Sequence, residues 1–250
     1  MLTNVYTVAD RIDLPTERRF GRLRAPDPAD MDFPLEDRLR AMRGAELKRR
    51  VRAPRHGPIL DQGNTNRCTM FSMAACLGAY PKGAKDAAAA IARVSIPVDG
   101  DPDMYRWSCN HDEFSDNNHG EDLGTSVRAT QEYAVRVDLS SAYFWARNAD
   151  VAKDYISRQG SAPLQIGIDW WSSFDRPNPK TGVIEEVTGQ ILGGHALCVL
   201  WFNKKTGLWE IQNSWGASWA KGGICRMPED IFNYVCFQTG GDVVSFAEVR

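Results

Sequence analysis

The hydrophobic pattern of the chain changes near its middle, and this change constrains the fold more than any other feature. Residues 68–77 contain an apolar stripe and neither glycine nor proline, which predicts a buried helix. Similar patterns predict further helices over 35–43, 82–93, 125–135 and 151–159. The second half instead favours strands over 163–168, 196–202, 208–212 and 224–227. Helices followed by strands predict an α+β protein with two packed lobes.

The polar stretch 97–124 is longer than most connections, so we expect a surface loop there with a functional role. It contains Cys109-Asn110-His111, but this spacing matches no zinc motif, and we expect no metal site.

Length and charge suggest how the chain is organised. Its 250 residues suit one globular unit of about 200 residues plus an appendage. Residues 1–56 carry 13 Lys and Arg against 9 Asp and Glu, whereas the rest carry 17 against 23. We therefore predict a basic N-terminal arm, residues 1–50, and a globular domain, residues 51–250. The arm is expected to wrap the surface; the alternative is an inhibitory pro-segment, with residues 1–50 docked on the acidic body.

Several partner classes are disfavoured by the same data. The formal net charge of −2 gives no reason to expect nucleic acid or an anionic membrane as a partner. No apolar run approaches the roughly 18 residues that cross a bilayer, and residues 1–6 do not resemble an export signal. The expected location is therefore the cytoplasm, where the six cysteines would stay reduced and pack as small hydrophobic side chains.

One cysteine has the setting of a nucleophile. Cys68 stands where the polar run 64–67 meets the predicted helix. A helix N-terminus stabilises an anion and so favours the reactive thiolate. Two later residues supply partners: His195 follows two glycines at the mouth of an apolar strand, and Asn213 directly follows the next predicted strand. Hairpin pairing would place the Asn213 amide oxygen beside the imidazole, which is the logic of a nucleophile, a base and an orienting group.

These residues lie in motifs that resemble those of the papain-like cysteine peptidases. Residues 62–63 are Gln-Gly, Cys68 lies six positions after Gln62, and Phe71-Ser72 follow. Residues 194–196 are Gly-His-Ala and residues 213–216 are Asn-Ser-Trp-Gly. The resemblance spans roughly residues 50–235. Within the family, the sequence is most similar to bacterial or phage-type members. A phage particle is therefore an alternative expected location.

The resemblance implies a two-lobed fold, with a helical left lobe, an antiparallel β-rich right lobe and the active-site cleft between them. It implies a cysteine endopeptidase that hydrolyses peptide or isopeptide bonds of polypeptide substrates without a cofactor. Cys68, His195 and Asn213 would form the triad, and Gln62 would donate to the oxyanion. Trp215 would cover the His195–Asn213 hydrogen bond and, with Gly124 and Arg67, border the substrate.

The chain departs from the family pattern beside the nucleophile, where residues 65–67 are Thr-Asn-Arg and residue 69 is Thr. Substrate preference is therefore open. Two other functions also stay open: a catalytically silent binding or structural module, and an amidase acting on a non-protein amide such as a peptidoglycan cross-link.

Overall fold

A computed structural model describes residues 19–50, 54, 56–79, 84–114 and 123–248. The first part of the arm, the first two residues of predicted helix 82–93 and residues 115–122 of the predicted loop lie outside this set. The helices are α1 (Leu35–Ala41), α2 (Cys68–Ala79), α3 (Ala87–Arg93), α4 (Met104–His111), α5 (Val127–Arg136), α6 (Ala149–Ile156) and α7 (Glu229–Asn233). The strands are β1 (Ser140–Trp145), β2 (Leu164–Trp171), β3 (Ile191–Asn203), β4 (Leu208–Gln212), β5 (Ile224–Pro228) and β6 (Asp242–Glu248).

The strands form one antiparallel sheet in the order β1-β6-β2-β3-β4-β5. Strands β3 and β4 form the predicted hairpin, in which Asn203 pairs with Leu208 across a turn that ends in Gly207. At Gly207 φ is +68°, a conformation that glycine adopts without steric cost.

Two hydrophobic cores lie on opposite faces of the sheet, because successive side chains of a strand point to opposite sides. On β3, Cys198 and Leu200 face the core made by α2–α5, whereas Leu197 and Val199 face the core that includes α6 and α7. The structure thus confirms the predicted α+β fold with its helical and β-rich parts.

Four of these helices and strands differ from the sequence-based prediction. The stretch 97–124 contains α4, which starts after Asp103 because that carboxylate accepts from the Arg106 backbone N–H at 2.9 Å. The prediction of a loop was wrong there, since Met104, Tyr105 and Trp107 are buried on the helical core. Helix α7 and strands β1 and β6 were not predicted at all.

A buried polar network fixes α2 against the sheet. The Gln165 side-chain amide of β2 donates to the Thr69 carbonyl at 2.9 Å and to the Ser72 hydroxyl at 2.8 Å. Its Oε1 accepts from Gln131 of α5 at 2.7 Å. Because buried amides are costly when unpaired, this network favours one position for the first turn of α2. Cys68 is the first residue of that turn.

The described part of the arm does not simply lie on the surface. Leu35 and Met42, at the two ends of α1, are fully buried in the core that includes α6. The boundary after residue 50 stays a prediction. Within the described residues, no helix is long and apolar enough to cross a membrane.

Candidate active site

Cys68 begins α2 and is fully buried. Its apolar neighbours are Val127, Ala196 and Val244. The thiol also lies in hydrogen-bonding reach of backbone groups of Ala196 and Gly21. Ala196 directly follows His195, so β3 brings the imidazole-bearing residue to the N-terminus of α2. All six cysteines are buried free thiols.

His195 and Asn213 meet across the β3–β4 hairpin. His195 Nε2 lies 2.8 Å from Asn213 Oδ1, and both side chains are buried. The same oxygen accepts from the Ser214 backbone N–H at 2.7 Å, which holds the amide in place. Two tryptophan rings enclose the imidazole: Trp215 at 4.8 Å and Trp170 at 5.0 Å between ring centroids. Such a dry setting strengthens the hydrogen bond by lowering the local dielectric.

Gln62 is held from both ends. Its Oε1 accepts from the Ser214 hydroxyl at 2.7 Å, and its Nε2 donates to the Thr65 carbonyl at 2.7 Å. Its backbone N–H also donates to the Ser214 carbonyl at 2.8 Å. Ser214 therefore joins Gln62 to Asn213, so two of the predicted site residues share one neighbour.

Residues 19–24, here called the plug, occupy this site. The Phe20 ring stands edge-on to His195 and Trp215, with centroid distances of 5.8 and 5.9 Å. Gly21 is buried so closely against Asn66 that a Cβ would lie 1.7 Å from the Asn66 carbonyl oxygen. The Gln62 amide also donates to the Arg19 carbonyl at 3.3 Å. The plug thus contacts the imidazole of His195 and the amide of Gln62. It also contacts Asn66, which lies two residues before Cys68.

Backbone hydrogen bonds fix the plug at both walls of the cleft. Thr125 N–H donates to the Gly21 carbonyl at 2.8 Å, and Leu23 N–H donates to the Thr125 carbonyl at 2.9 Å. On the other wall, Arg22 N–H donates to the Gly194 carbonyl at 2.9 Å. Farther along, Arg128 pairs with Asp30 at 2.5 Å and Asp27 at 3.4 Å.

Burial raises the pKa of the Cys68 thiol, and the backbone groups of Gly21 and Ala196 offset only part of that effect. With the plug in place the sulfur is therefore held largely as the thiol at neutral pH, because a buried anion lacks hydration.

The three predicted substrate-binding residues have different surroundings. Gly124 touches the plug: a Cβ there would lie 2.2 Å from the Gly21 carbonyl oxygen. Trp215 covers the imidazole, as described above. The Arg67 guanidinium instead donates to Asp103 at 2.8 Å and lies over the Tyr105 ring. Their roles toward substrate stay predictions.

Sequence reasoning missed Trp170, and it offered docking of residues 1–50 as an alternative without singling out residues 19–24. The pairing of Ile168 with His195 places the nearby Trp170 beside the imidazole, and this register is not readable from local sequence. The only signal for the plug was the basic charge of residues 1–56 facing an acidic body.

Comparison with known proteins identifies the family. Residues 67–239, well over half of the chain, match the family described as papain family cysteine protease. A cathepsin B-like cysteine proteinase of Schistosoma japonicum is 37% identical over 67 residues, which cover 26% of this chain and 19% of the relative. An uncharacterized peptidase C1-like protein of Acanthamoeba polyphaga mimivirus is 33% identical over 69 residues, covering 26% and 22%. The chain thus spans about a fifth of the length of these two relatives.

Solved structures show the same fold. Xylellain, a cysteine protease from Xylella fastidiosa, aligns with a TM-score of 0.60 at 16% identity, covering 95% of this chain and 99% of that one. Procathepsin B S9 from Trypanosoma congolense aligns with a TM-score of 0.57 at 14% identity, covering 94% and 88%.

The fold and the matched sequence define a papain-like α+β protein. The chain belongs to the papain family of cysteine proteases. The predicted resemblance is confirmed; the bacterial or phage affinity stays a prediction.

Proposed function

We propose that this chain is a cysteine endopeptidase that hydrolyses peptide or isopeptide bonds of polypeptides. The observation that carries the proposal is the 2.8 Å contact between His195 and Asn213 in a tryptophan-lined site beside the N-terminus of α2. Asn213 fixes the ring and its tautomer through Nε2, which leaves Nδ1 for proton transfer with the thiol.

The reaction would run in two halves. The Cys68 thiolate attacks the carbonyl carbon, and His195 passes its proton to the leaving nitrogen as the C–N bond breaks. Water then attacks the thioester while His195 takes a proton from it, and the C–S bond breaks to release the acid and regenerate the thiolate. Once the plug has left, the helix N-terminus would favour the thiolate in the free enzyme.

Gln62 would stabilise the oxyanion of both tetrahedral intermediates. Replacing Gln62 by Ala should lower kcat about 10²–10³-fold, because one donor to the developing charge is lost. Steady-state kinetics on a peptide substrate measures this. Gln159→Ala, at an exposed glutamine, is the matched control and should leave kcat within about twofold. A loss below threefold in Gln62→Ala would remove the glutamine from the oxyanion site.

We propose further that the plug inhibits the enzyme within the same chain. Phe20 covers the imidazole, Gly21 lies beside the thiol, and Gln62 is engaged by the Arg19 carbonyl. A polypeptide substrate therefore has to displace residues 19–24 before its carbonyl carbon can reach the sulfur.

The occupied cleft also suits a silent module whose site never opens, and labelling of the thiols separates the two functions. We expect iodoacetamide at pH 7 to modify Cys68 in a Phe20→Ala variant at least about tenfold faster than Cys109, with the adduct located by mass spectrometry. Burial raises the pKa of Cys109 to about 12, which makes it a slow internal reference.

His195→Ala in the same variant should remove the rapid reaction, because the imidazole no longer takes the thiol proton. If Cys68 reacts no faster than Cys109 in the Phe20→Ala chain, the peptidase proposal fails and the silent module is favoured.

A further inference from the structure

Asp175 holds two tryptophan rings at once. It ends the short 3-10 turn Ser172–Asp175, which directly follows β2. Its carboxylate accepts from the Trp170 indole N–H at 2.7 Å, and its backbone carbonyl accepts from the Trp219 indole N–H at 3.2 Å. Phe174 is fully buried and stands edge-on to Trp170, with a centroid distance of 5.4 Å. The turn is thus fastened to the core beside both indoles.

The two indoles belong to an aromatic wall beside the imidazole, defined by Trp170, Trp215 and Trp219. Between ring centroids, Trp170 lies 5.0 Å from Trp215 and 6.1 Å from Trp219. It is fully buried, and its ring stands at 79° to the His195 ring, with 5.0 Å between the centroids. A rotation of this indole would therefore change the surroundings of the imidazole directly.

A carboxylate is a costly acceptor in this place. Burial raises the pKa of Asp175, and the hydrogen bond from Trp170 and the neighbouring charge of Arg176 offset only part of that rise. Packing alone does not require an acceptor for the indole: Trp209, fully buried in the same core, makes no hydrogen bond through its indole N–H to the described residues. A neutral oxygen would satisfy the Trp170 N–H at a lower desolvation cost. The negative charge therefore indicates a role in the site.

The proposed reaction places a positive charge on the neighbouring ring, since the Cys68 thiolate pairs with protonated His195. The π electrons of an indole attract a cation within about 6 Å of the ring centroid. A carboxylate bonded to the indole N–H increases the electron density of that ring, because hydrogen-bonded groups in a dry site polarise one another. The charge of Asp175 can thus reach the imidazolium through the Trp170 ring.

We propose that Asp175 is a positioning residue of the active site, which holds Trp170 against His195 and through that ring favours the protonated imidazole paired with the thiolate. The inference rests on the proposed peptidase function and adds to it a residue outside the predicted motifs. Asp175 would complement Asn213, which orients the same imidazole from its Nε2 edge.

The first test is the pH profile of kcat/KM for a peptide substrate in the Phe20→Ala chain, with and without Asp175→Asn. The amide keeps the shape and an acceptor oxygen but removes the charge. A weaker ion pair forms at higher pH and is lost at lower pH. We therefore expect the acid limb to move up and the alkaline limb to move down. Each shift should be about half a pH unit, or threefold in proton affinity, with KM within about twofold of the parent.

Asp230→Asn is the matched control, because it removes one carboxylate from the exposed surface of α7 and should leave both limbs in place. A smaller folded fraction would lower the rate by the same factor at each pH. A purely structural role of Asp175 would therefore leave the limbs where they are. Limbs that coincide in Asp175→Asn and its parent would overturn the proposal.

The route through the indole is tested with Trp170→Phe, which keeps an aromatic ring but removes the N–H. In the Trp170→Phe chain, Asp175→Asn should have no further effect on the limbs, whereas independent effects would add. If the full shift of about half a pH unit persists there, Asp175 does not act through Trp170 and the proposal is overturned.

A readout without hydrolysis separates this inference from the peptidase proposal. Proton NMR of the Phe20→Ala chain follows the titration of the His195 ring, and Asp175→Asn should lower its midpoint by about half a pH unit. A lowered midpoint in a chain that hydrolyses no peptide supports the positioning role and overturns the peptidase. Hydrolysis with an unmoved midpoint supports the peptidase and overturns the positioning role.

Discussion

Replacement of Cys68 by Ala should lower kcat for peptide hydrolysis by about 10⁴-fold or more. No other group in the site can form the acyl intermediate, so only binding and electrostatic contributions would remain. The measurement is best made in the Phe20→Ala chain, where the plug is weakened, with a peptide substrate in excess of KM. The affinity for substrate should change little, because the sulfur is the reacting atom rather than a binding group.

The matched control is Cys76→Ala, two turns farther along α2. Both thiols are fully buried on the same helix, so both changes cost a similar amount of packing, about 1 kcal/mol of the free energy of unfolding. Only the Cys68 variant should lose activity. If Cys68→Ala retains more than a tenth of the parent rate, another group is the nucleophile.

Opening the plug should change the rates in the opposite direction. Phe20→Ala removes a half-buried ring from contact with His195 and Trp215, which we take to weaken the closed state by about 2 kcal/mol. Where the closed state dominates, that difference raises the open population about 30-fold. The rate of Cys68 alkylation and kcat/KM for a peptide should both rise by about 10–100-fold.

The control is Phe33→Ala, which removes an exposed ring from the same arm and should leave both rates unchanged. The pH profile gives an independent check. Burial raises the pKa of Cys68 above its usual value of 9.0, so alkylation of the parent chain should stay slow near neutrality and still be rising above pH 9. Phe20→Ala readmits water and should move the profile to lower pH. Identical profiles would show that the plug does not control the thiol.

Helices and strands that are specified by short stretches of sequence could be predicted from the sequence alone. The first turn of α2 follows from an apolar stripe without glycine or proline, and the β3–β4 hairpin follows from the turn that ends in Gly207. Helix α4 was missed because eight residues between polar, turn-rich segments carry too little periodicity. Strand β6 was missed because its position is set by pairing with β1 and β2, which are distant in sequence.

The same distinction applies to the candidate site. Gln62, Cys68, His195 and Asn213 were predicted from motifs with fixed spacing, and their catalytic roles stay predictions until tested. Arg22 carries no motif, and its contact with Asp242 spans 220 positions. A buried charge of this kind becomes recognisable only when the fold brings its partner to it.

The burial of Leu35 and Met42 separates the arm into two parts with different attachments. Residues 26–29, between the plug and α1, are exposed, and a peptide bond broken there would leave α1 held by its core contacts. The plug would then lose its tether, and its effective concentration at the cleft would fall from roughly millimolar to that of the free fragment. The contacts that keep the tethered plug in the cleft would then be too weak to keep the free fragment there. One cut in this stretch would therefore turn a reversible closure into a permanent opening.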